Sequence, residues 1–254
     1  MTEELHPGMS MCDINYYFPL FSDDVSVINT HIKLHKYDND IDDLVTIESY
    51  TSYGEDDSSM MTPLMYACMK DRHDVFDFLL QSGADINIKN DINLTVFHYA
   101  AIYGRTRMIE KIITNKKYDG SNINHLDVYL KNGNKDINVV YLLLPLSDVN
   151  AIDKYGTNCL MQAAFRVNSP EIIEFLINWT HNINQQDMEG TTALHWACRG
   201  KNTFNTVKLL LNAGADPNLL DKNGYTPMKL HSRMVYCDPQ IISLLEAVTN
   251  KVAV

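Results

Sequence analysis

Five short segments repeat one pattern at a near-constant spacing, and this limits the possible folds more than any other feature of the chain. They are TPLMYAC from Thr62, TVFHYAA from Thr95, NCLMQAA from Asn158, TALHWAC from Thr192 and TPMKLHS from Thr226. Their starts are separated by 33, 63, 34 and 34 residues. The gap of 63 is nearly twice the period, so a degenerate unit is expected within it, starting near residue 124. A second signature follows each start. It is LLQSGADIN over residues 79–87 and LLLNAGADPN over 209–218, with weaker forms LLLPLSDVN over 142–150 and LINWTHNIN over 176–184. A fixed period of this length marks stacked supersecondary units rather than one mixed core.

The chemistry of a single unit is readable. Thr62 can cap a helix N-terminus through its hydroxyl, and Pro63 at the first helical position loses no needed hydrogen bond. Leu64, Ala67 and Cys68 share one helical face, where small residues let a neighbouring helix approach. A polar break, Lys70-Asp71-Arg72-His73, precedes a second amphipathic helix through Val75, Phe76, Leu79 and Leu80. Gly83 suits a left-handed C-cap, and Asp85-Ile86-Asn87 is turn chemistry. Such a helix pair cannot bury its apolar face alone, so copies must stack.

In these residues the chain resembles the ankyrin-repeat family, whose T-P-L-H-x-A signature recurs about every 33 residues. Thr62-Pro63-Leu64 with Ala67, Thr95 with His98 and Ala100, Thr192 with Leu194, His195 and Ala197, and Thr226-Pro227 carry the match. So do Gly83-Ala84-Asp85-Ile86-Asn87, Gly214-Ala215-Asp216-Pro217-Asn218, and the glycines Gly156, Gly190 and Gly224 ahead of first helices. The resemblance implies an all-α ankyrin-repeat solenoid of about six helix-turn-helix units with projecting loops. The units start near 62, 95, 124, 158, 192 and 226 and fill residues 62–250, with a short tail at 251–254. Met65, Met161 and Lys229 depart from the family histidine, and residues 117–135 lack a clean first-helix match. A helix is expected over 123–130. Trp179-Thr180-His181 replaces the Gly-Ala turn after a clear helix over 171–177, and a final helix is expected over 239–248.

Charge separates the N-terminal 61 residues from the rest. They hold thirteen acids against two lysines, whereas residues 62–254 hold nineteen of each. Apolar spacing suggests helices over 23–34 and 42–50, together a degenerate capping pair over 1–61 with a charged outer face. Residues 53–59, YGEDDSS, read as a loop, or instead as an acidic interaction arm. Nowhere is there a basic stripe of the kind that neutralises phosphates, which argues against nucleic-acid binding. The absence of a long apolar run and of a signal-like N-terminus argues against membrane spanning and secretion. The expectation is a monomer in the cytoplasm or nucleus. Its five cysteines, an odd number with no CxxC, are then reduced thiols.

No glycine-rich phosphate loop, GxSxG or paired CxxC motif is present, and neither an enzyme nor a cofactor is expected. His31 and His35, four apart with Asp38 beyond, have metal-ligand spacing, although a polar helix face explains them as well. His195 and Cys198 could look like ligands too. The family resemblance instead makes His195 a structural group bonding the turn at the helix start, and Cys198 reads as a small hydrophobe. Tyr66, Tyr99 and Trp196 share one repeat position, either as a recognition stripe or as inter-repeat packing.

The resemblance points to partner-protein contacts at the loop tips Lys89, Asp91, Tyr155, Met188, Lys222 and Tyr225. It adds the first-helix ends Met69, Tyr103, Phe165, Arg166 and Arg199, positions that line a concave groove in ankyrin proteins. It also makes Asn87 and Asn150 candidates for asparaginyl hydroxylation, beside their role as turn-closing side chains. The implied function is a non-enzymatic protein-binding module that can regulate or inhibit its partner. Two narrower forms fit the same resemblance. One is an inhibitor that masks transcription factors, although the family's phospho-degron is missing. The other is a tail-less ubiquitin-ligase adaptor like the ankyrin proteins of large DNA viruses, which would set the chain in host–pathogen interaction.

Overall fold

Six residues stand at helix starts at the repeat period. Thr62, Thr95, Asn124, Asn158, Thr192 and Thr226 are N-caps, each with extended backbone. The hydroxyl of Thr62 and the side-chain oxygen of Asn158 accept the N–H three residues on, satisfying a donor that the helix itself leaves open. A computed structural model describes residues 45–50, 56–121, 123–167, 169–201 and 203–252, together with Val25 and Asp42. The chain divides into two compact units, the first ending at Asp119 and the second beginning at Gly120.

The first unit contains β1 (Val45–Tyr50) and β2 (Asp56–Met61), an antiparallel pair with Val45 opposite Met61 and Tyr50 opposite Asp56. Two helix pairs follow: α1 (Pro63–Met69) with α2 (His73–Gln81), and α3 (Val96–Ile102) with α4 (Thr106–Thr114). Helix α1 packs on both α2 and α3. Ala67, Cys68, Ala100 and Ala101 are almost wholly buried, as expected where small side chains let first helices approach.

The second unit contains α5 (His125–Lys131) with α6 (Ile137–Leu143), which continues into a 3₁₀ turn at Leu144–Leu146. Then come α7 (Cys159–Arg166) with α8 (Pro170–Trp179), α9 (Ala193–Arg199) with α10 (Phe204–Asn212), and α11 (Pro227–His231) with α12 (Pro239–Val252). Leu160, Ala163, Ala164, Leu194, Ala197 and Cys198 fill the space between adjacent first helices.

The helix expected over 42–50 is a strand instead. Val45, Thr46 and Ile47 are β-branched in succession, which favours extended backbone over a helical turn. The loop expected over 53–59 is strand from Asp56 onward, and residues 51–55 lie outside the described residues. The helix expected over 23–34 also lies outside them, apart from Val25, which is helical.

Asp42 ties the stretch before the hairpin to the first repeat. Its carboxylate accepts the Asp85 N–H at 2.8 Å. Asn87 accepts the Asp119 N–H, Asn150 the His181 N–H and Asn184 the Asp216 N–H in the same way, at 2.7, 2.9 and 2.8 Å. Eight residues separate each of these asparagines from the N-cap ending its own loop (Thr95, Asn158, Thr192), but twenty separate Asp42 from Thr62. Asp42 therefore makes towards the following turn the bond that these asparagines make, with the hairpin lying between it and the next N-cap.

Candidate interaction surface

Four of the projecting loops are each built around one side chain that accepts two backbone N–H groups. Asp153 accepts from Tyr155 and Thr157, Asp187 from Glu189 and Thr191, and Asp221 from Asn223 and Tyr225, all within 2.8–3.0 Å. Asn90 does the same for Ile92 and Leu94 in the first unit, and its amide also donates to the Tyr99 hydroxyl. Burial pushes the Asp153 carboxyl up, but the Thr157 and Tyr155 N–H groups and the Lys131 ammonium outweigh it and hold it at about 2.

In the second unit successive loops are pinned to each other. Met188 N–H donates to Tyr155 C=O and Lys222 N–H to Glu189 C=O, both at 2.9 Å. Gly156 and Gly190 permit this approach. A Cβ on either would stand 3.0 or 3.1 Å from the incoming nitrogen, and both have φ above +70°. Gly224 has a φ of +72° as well, with open space where its Cβ would stand.

These loops hold Tyr155, Met188 and Lys222 exposed at their tips, and Lys89 and Asp91 are exposed on the first unit. Tyr225 is half-buried, with the Lys229 ammonium 4.6 Å and the Arg233 guanidinium 5.1 Å from its ring centre. Among the first-helix ends, Arg166 and Arg199 are exposed, Phe165 is half-buried, and Tyr103 is exposed under the Arg105 guanidinium. Phe165 meets Trp196 edge-on at 5.6 Å, bringing the ends of α7 and α9 together. Met69 is a correction: only 7% of it is exposed. Arg105 reaches across from α4's N-cap to donate to the Met69 carbonyl at 2.9 Å, covering this helix end.

Of the aromatic residues at one repeat position, Tyr99 is buried, whereas Tyr66 and Trp196 are half-buried. Trp196 is fixed by its indole N–H, which donates to Asp187. Lys201, Lys229, Arg233 and Tyr236 also belong to this surface and escaped the sequence reading. The repeat register was the signal for Arg233, which stands as far past Thr226 as Arg199 does past Thr192.

His195 is a structural group. Its Nδ1 accepts the Thr192 N–H at 3.2 Å and its Nε2–H donates to the Tyr225 carbonyl at 3.1 Å. Burial lowers its pKa. Burial also raises the thiols of Cys68 and Cys198 to about 12, so both stay protonated and unreactive. His31, His35 and Asp38 lie outside the described residues, and no group of three metal-ligating side chains occurs among the described ones. Asn87 and Asn150 each close the next turn through both ends of the amide, donating to Lys117 and Trp179 carbonyls. No helix among the described residues is long and apolar enough to cross a membrane.

Comparison with known proteins agrees with this geometry. Family models of ankyrin repeats match residues 64–113, 97–187, 125–221 and 160–245. Inversin from Canis lupus familiaris is 32% identical over 184 residues, covering 68% of this chain and 17% of that protein. Inversin from Homo sapiens is 31% identical over the same length, with the same coverage. The palmitoyltransferase AKR1 of Lachancea kluyveri is 26% identical over 172 residues, covering 63% of this chain and 23% of that protein. The chain thus spans about a fifth of the length of these relatives. Ankyrin repeats generally mediate protein–protein interaction and are generally not enzymes. With its repeat period, capped helix pairs and pinned loops, the chain belongs to the ankyrin-repeat family.

Proposed function

We propose that the chain is a binding module that presents loop tips and first-helix ends to a partner protein and regulates or inhibits that partner by covering it. One observation carries this reading. The backbone bonds from Met188 to Tyr155 and from Lys222 to Glu189 hold the loops in fixed register while leaving those side chains outward. A rigid display of exposed aromatic, thioether and cationic groups binds with little loss of conformational entropy. The loop-tip residues Lys89, Asp91, Tyr155, Met188, Lys222 and Tyr225 are the proposed contacts, together with Tyr103, Phe165, Arg166 and Arg199. On the same reading Asn87 and Asn150 are the sites a hydroxylase would modify, after opening the turn each one closes.

The test is affinity capture with the intact chain and with a variant carrying alanine at Lys89, Tyr155, Met188 and Tyr225. Circular dichroism establishes that the variant is folded. The expected result is a specific protein captured by the intact chain and lost by the folded variant. Equal capture by both chains would move the interface off the loop tips.

A further inference from the structure

We propose that the second unit binds an extended acidic peptide along the ends of α7, α9 and α11, with acidic side chains at every third position. This rests on the interaction-module reading above and names the partner's chemistry.

The charges point to it first. Arg166, Arg199, Lys201, Lys229 and Arg233 belong to this surface, and no carboxylate stands within ion-pair distance of any of them among the described residues. The charge count hides all five, because residues 62–254 are neutral as a whole, and the repeat resemblance points to Arg166 and Arg199 alone. Two acids of this region are engaged in their own loops. Asp187 accepts from Glu189, Thr191 and the Trp196 indole, and Asp221 from Asn223 and Tyr225.

The rings come second. Each of these cations stands over an aromatic face. Arg166 lies 5.5 Å from Phe165, Arg199 6.0 Å from Trp196, Lys201 3.9 Å from Tyr236, and Lys229 and Arg233 share Tyr225. A ring face restrains a long cationic side chain without neutralising it, so the charge stays available to an anion. Arginine heads held this way also suit the planar two-bond grip on a carboxylate.

The spacing comes third. Phe165, Arg199 and Arg233 each stand seven residues past their N-caps, Asn158, Thr192 and Thr226. Helix α9 packs against both α7 and α11, so the three positions form a row that steps once per repeat. Packed helix axes stand roughly 8–10 Å apart. Three residues of a polyproline II chain cover about 9 Å and bring side chains i and i+3 to the same face, which a β-strand with its period of two does not. On such a chain an acidic side chain at every third position therefore meets the cations of successive steps, Arg199 and Arg233 on the row and Arg166 beside Phe165, and one at every second position drifts out of register.

The experiment uses the full chain and two fluorescein-labelled synthetic peptides of identical composition. One carries glutamate at every third position and the other at every second. Binding is read by fluorescence anisotropy at low and high salt. The expected result is roughly tenfold tighter binding of the every-third peptide, weakening as salt rises. The double variant Arg199→Glu/Arg233→Glu should lose roughly tenfold or more of that affinity. A control, Lys135→Glu/Lys208→Glu, makes the same charge change at exposed lysines off the row and should keep most of it. Equal binding of both peptides, or equal losses in both variants, would overturn the proposal in favour of diffuse charge attraction. Selection from an unbiased peptide library separates this idea from the broader one. Recovery of neutral or basic peptides whose binding depends on Arg199 and Arg233 would overturn the acidic class and leave the interaction module standing.

Discussion

The fifth and third repeats build the same first helix with different chemistry. In the fifth, α9 carries its own fastening: Thr192 and His195 bond each other across the first turn, and the far side of the imidazole holds the Tyr225 carbonyl. In the third, Asn124 makes no capping bond at the start of α5. The Ser147 hydroxyl, beyond α6, accepts the Leu126 N–H and donates to the Leu143 carbonyl, both at 2.9 Å. His125 donates from Nδ1 to the Leu146 carbonyl at 3.0 Å. A repeat that has lost its cap keeps its helix by borrowing a cap from the segment that follows its partner helix. One fastening is local in sequence and joins adjacent repeats, whereas the other joins the two ends of a single repeat.

The largest effect expected from breaking this contrast is at His195. Replacing the buried ring with alanine removes two hydrogen bonds and leaves a cavity, a loss of about 3 kcal/mol. Hydrogen exchange should rise in α9 and at the start of α11, because the ring bridges both. His125→Ala should cost less, about 1–2 kcal/mol, and loosen the third repeat alone. If exchange after His125→Ala spread to α7 as strongly as His195→Ala spreads to α11, the distinction between bridging and self-contained fastening would fail.

A smaller effect is expected at Ser147. Ser147→Ala should cost about 1 kcal/mol, the usual value of a helix cap. The first turn of α5 should fray, although the substitution lies twenty-one residues beyond Leu126. Unchanged exchange at Leu126 would mean that the helix start is held by packing alone.

This contrast explains what the sequence made legible. Thr192 and His195 lie three residues apart and Thr62 and Met65 likewise, so a local pattern exposes these helix starts. Ser147 and Leu126 are joined only by the fold, and nothing near Asn124 advertises the replacement. The hairpin was missed for a related reason. Apolar spacing over 42–50 fits a helix as well as a strand, and the polar part of the deciding partner Asp56–Met61 falls within the loop expected over 53–59. Met69 was misplaced because the arginine that covers its helix end, Arg105, belongs to the next repeat. Tyr155, Met188 and Arg199 fell on exposed surface as expected, since the repeat register fixes which positions the core does not use.

The smallest expected effect is a dependence of stability on pH that tells the two histidines apart. Burial is the main cause that lowers both His125 and His195 below the ordinary value of 6.5. The unfolded chain then takes up protons at a higher pH than the folded one. Stability contributed by these rings is complete above about pH 6.5 and falls as the pH drops from there towards the folded pKa. At His195 protonation also converts Nδ1 from the acceptor of the Thr192 N–H into a donor, so the capping box opens. At His125 the bond to the Leu146 carbonyl uses Nδ1 as the donor, and a proton on Nε2 leaves it intact. Melting temperatures measured from about pH 8 down to about pH 5 should therefore decline. His195→Ala should flatten the decline more than His125→Ala does, and hydrogen exchange at acid pH should rise first at the start of α9. An equal flattening by both substitutions would assign the pH dependence to burial alone and remove the capping box from the explanation.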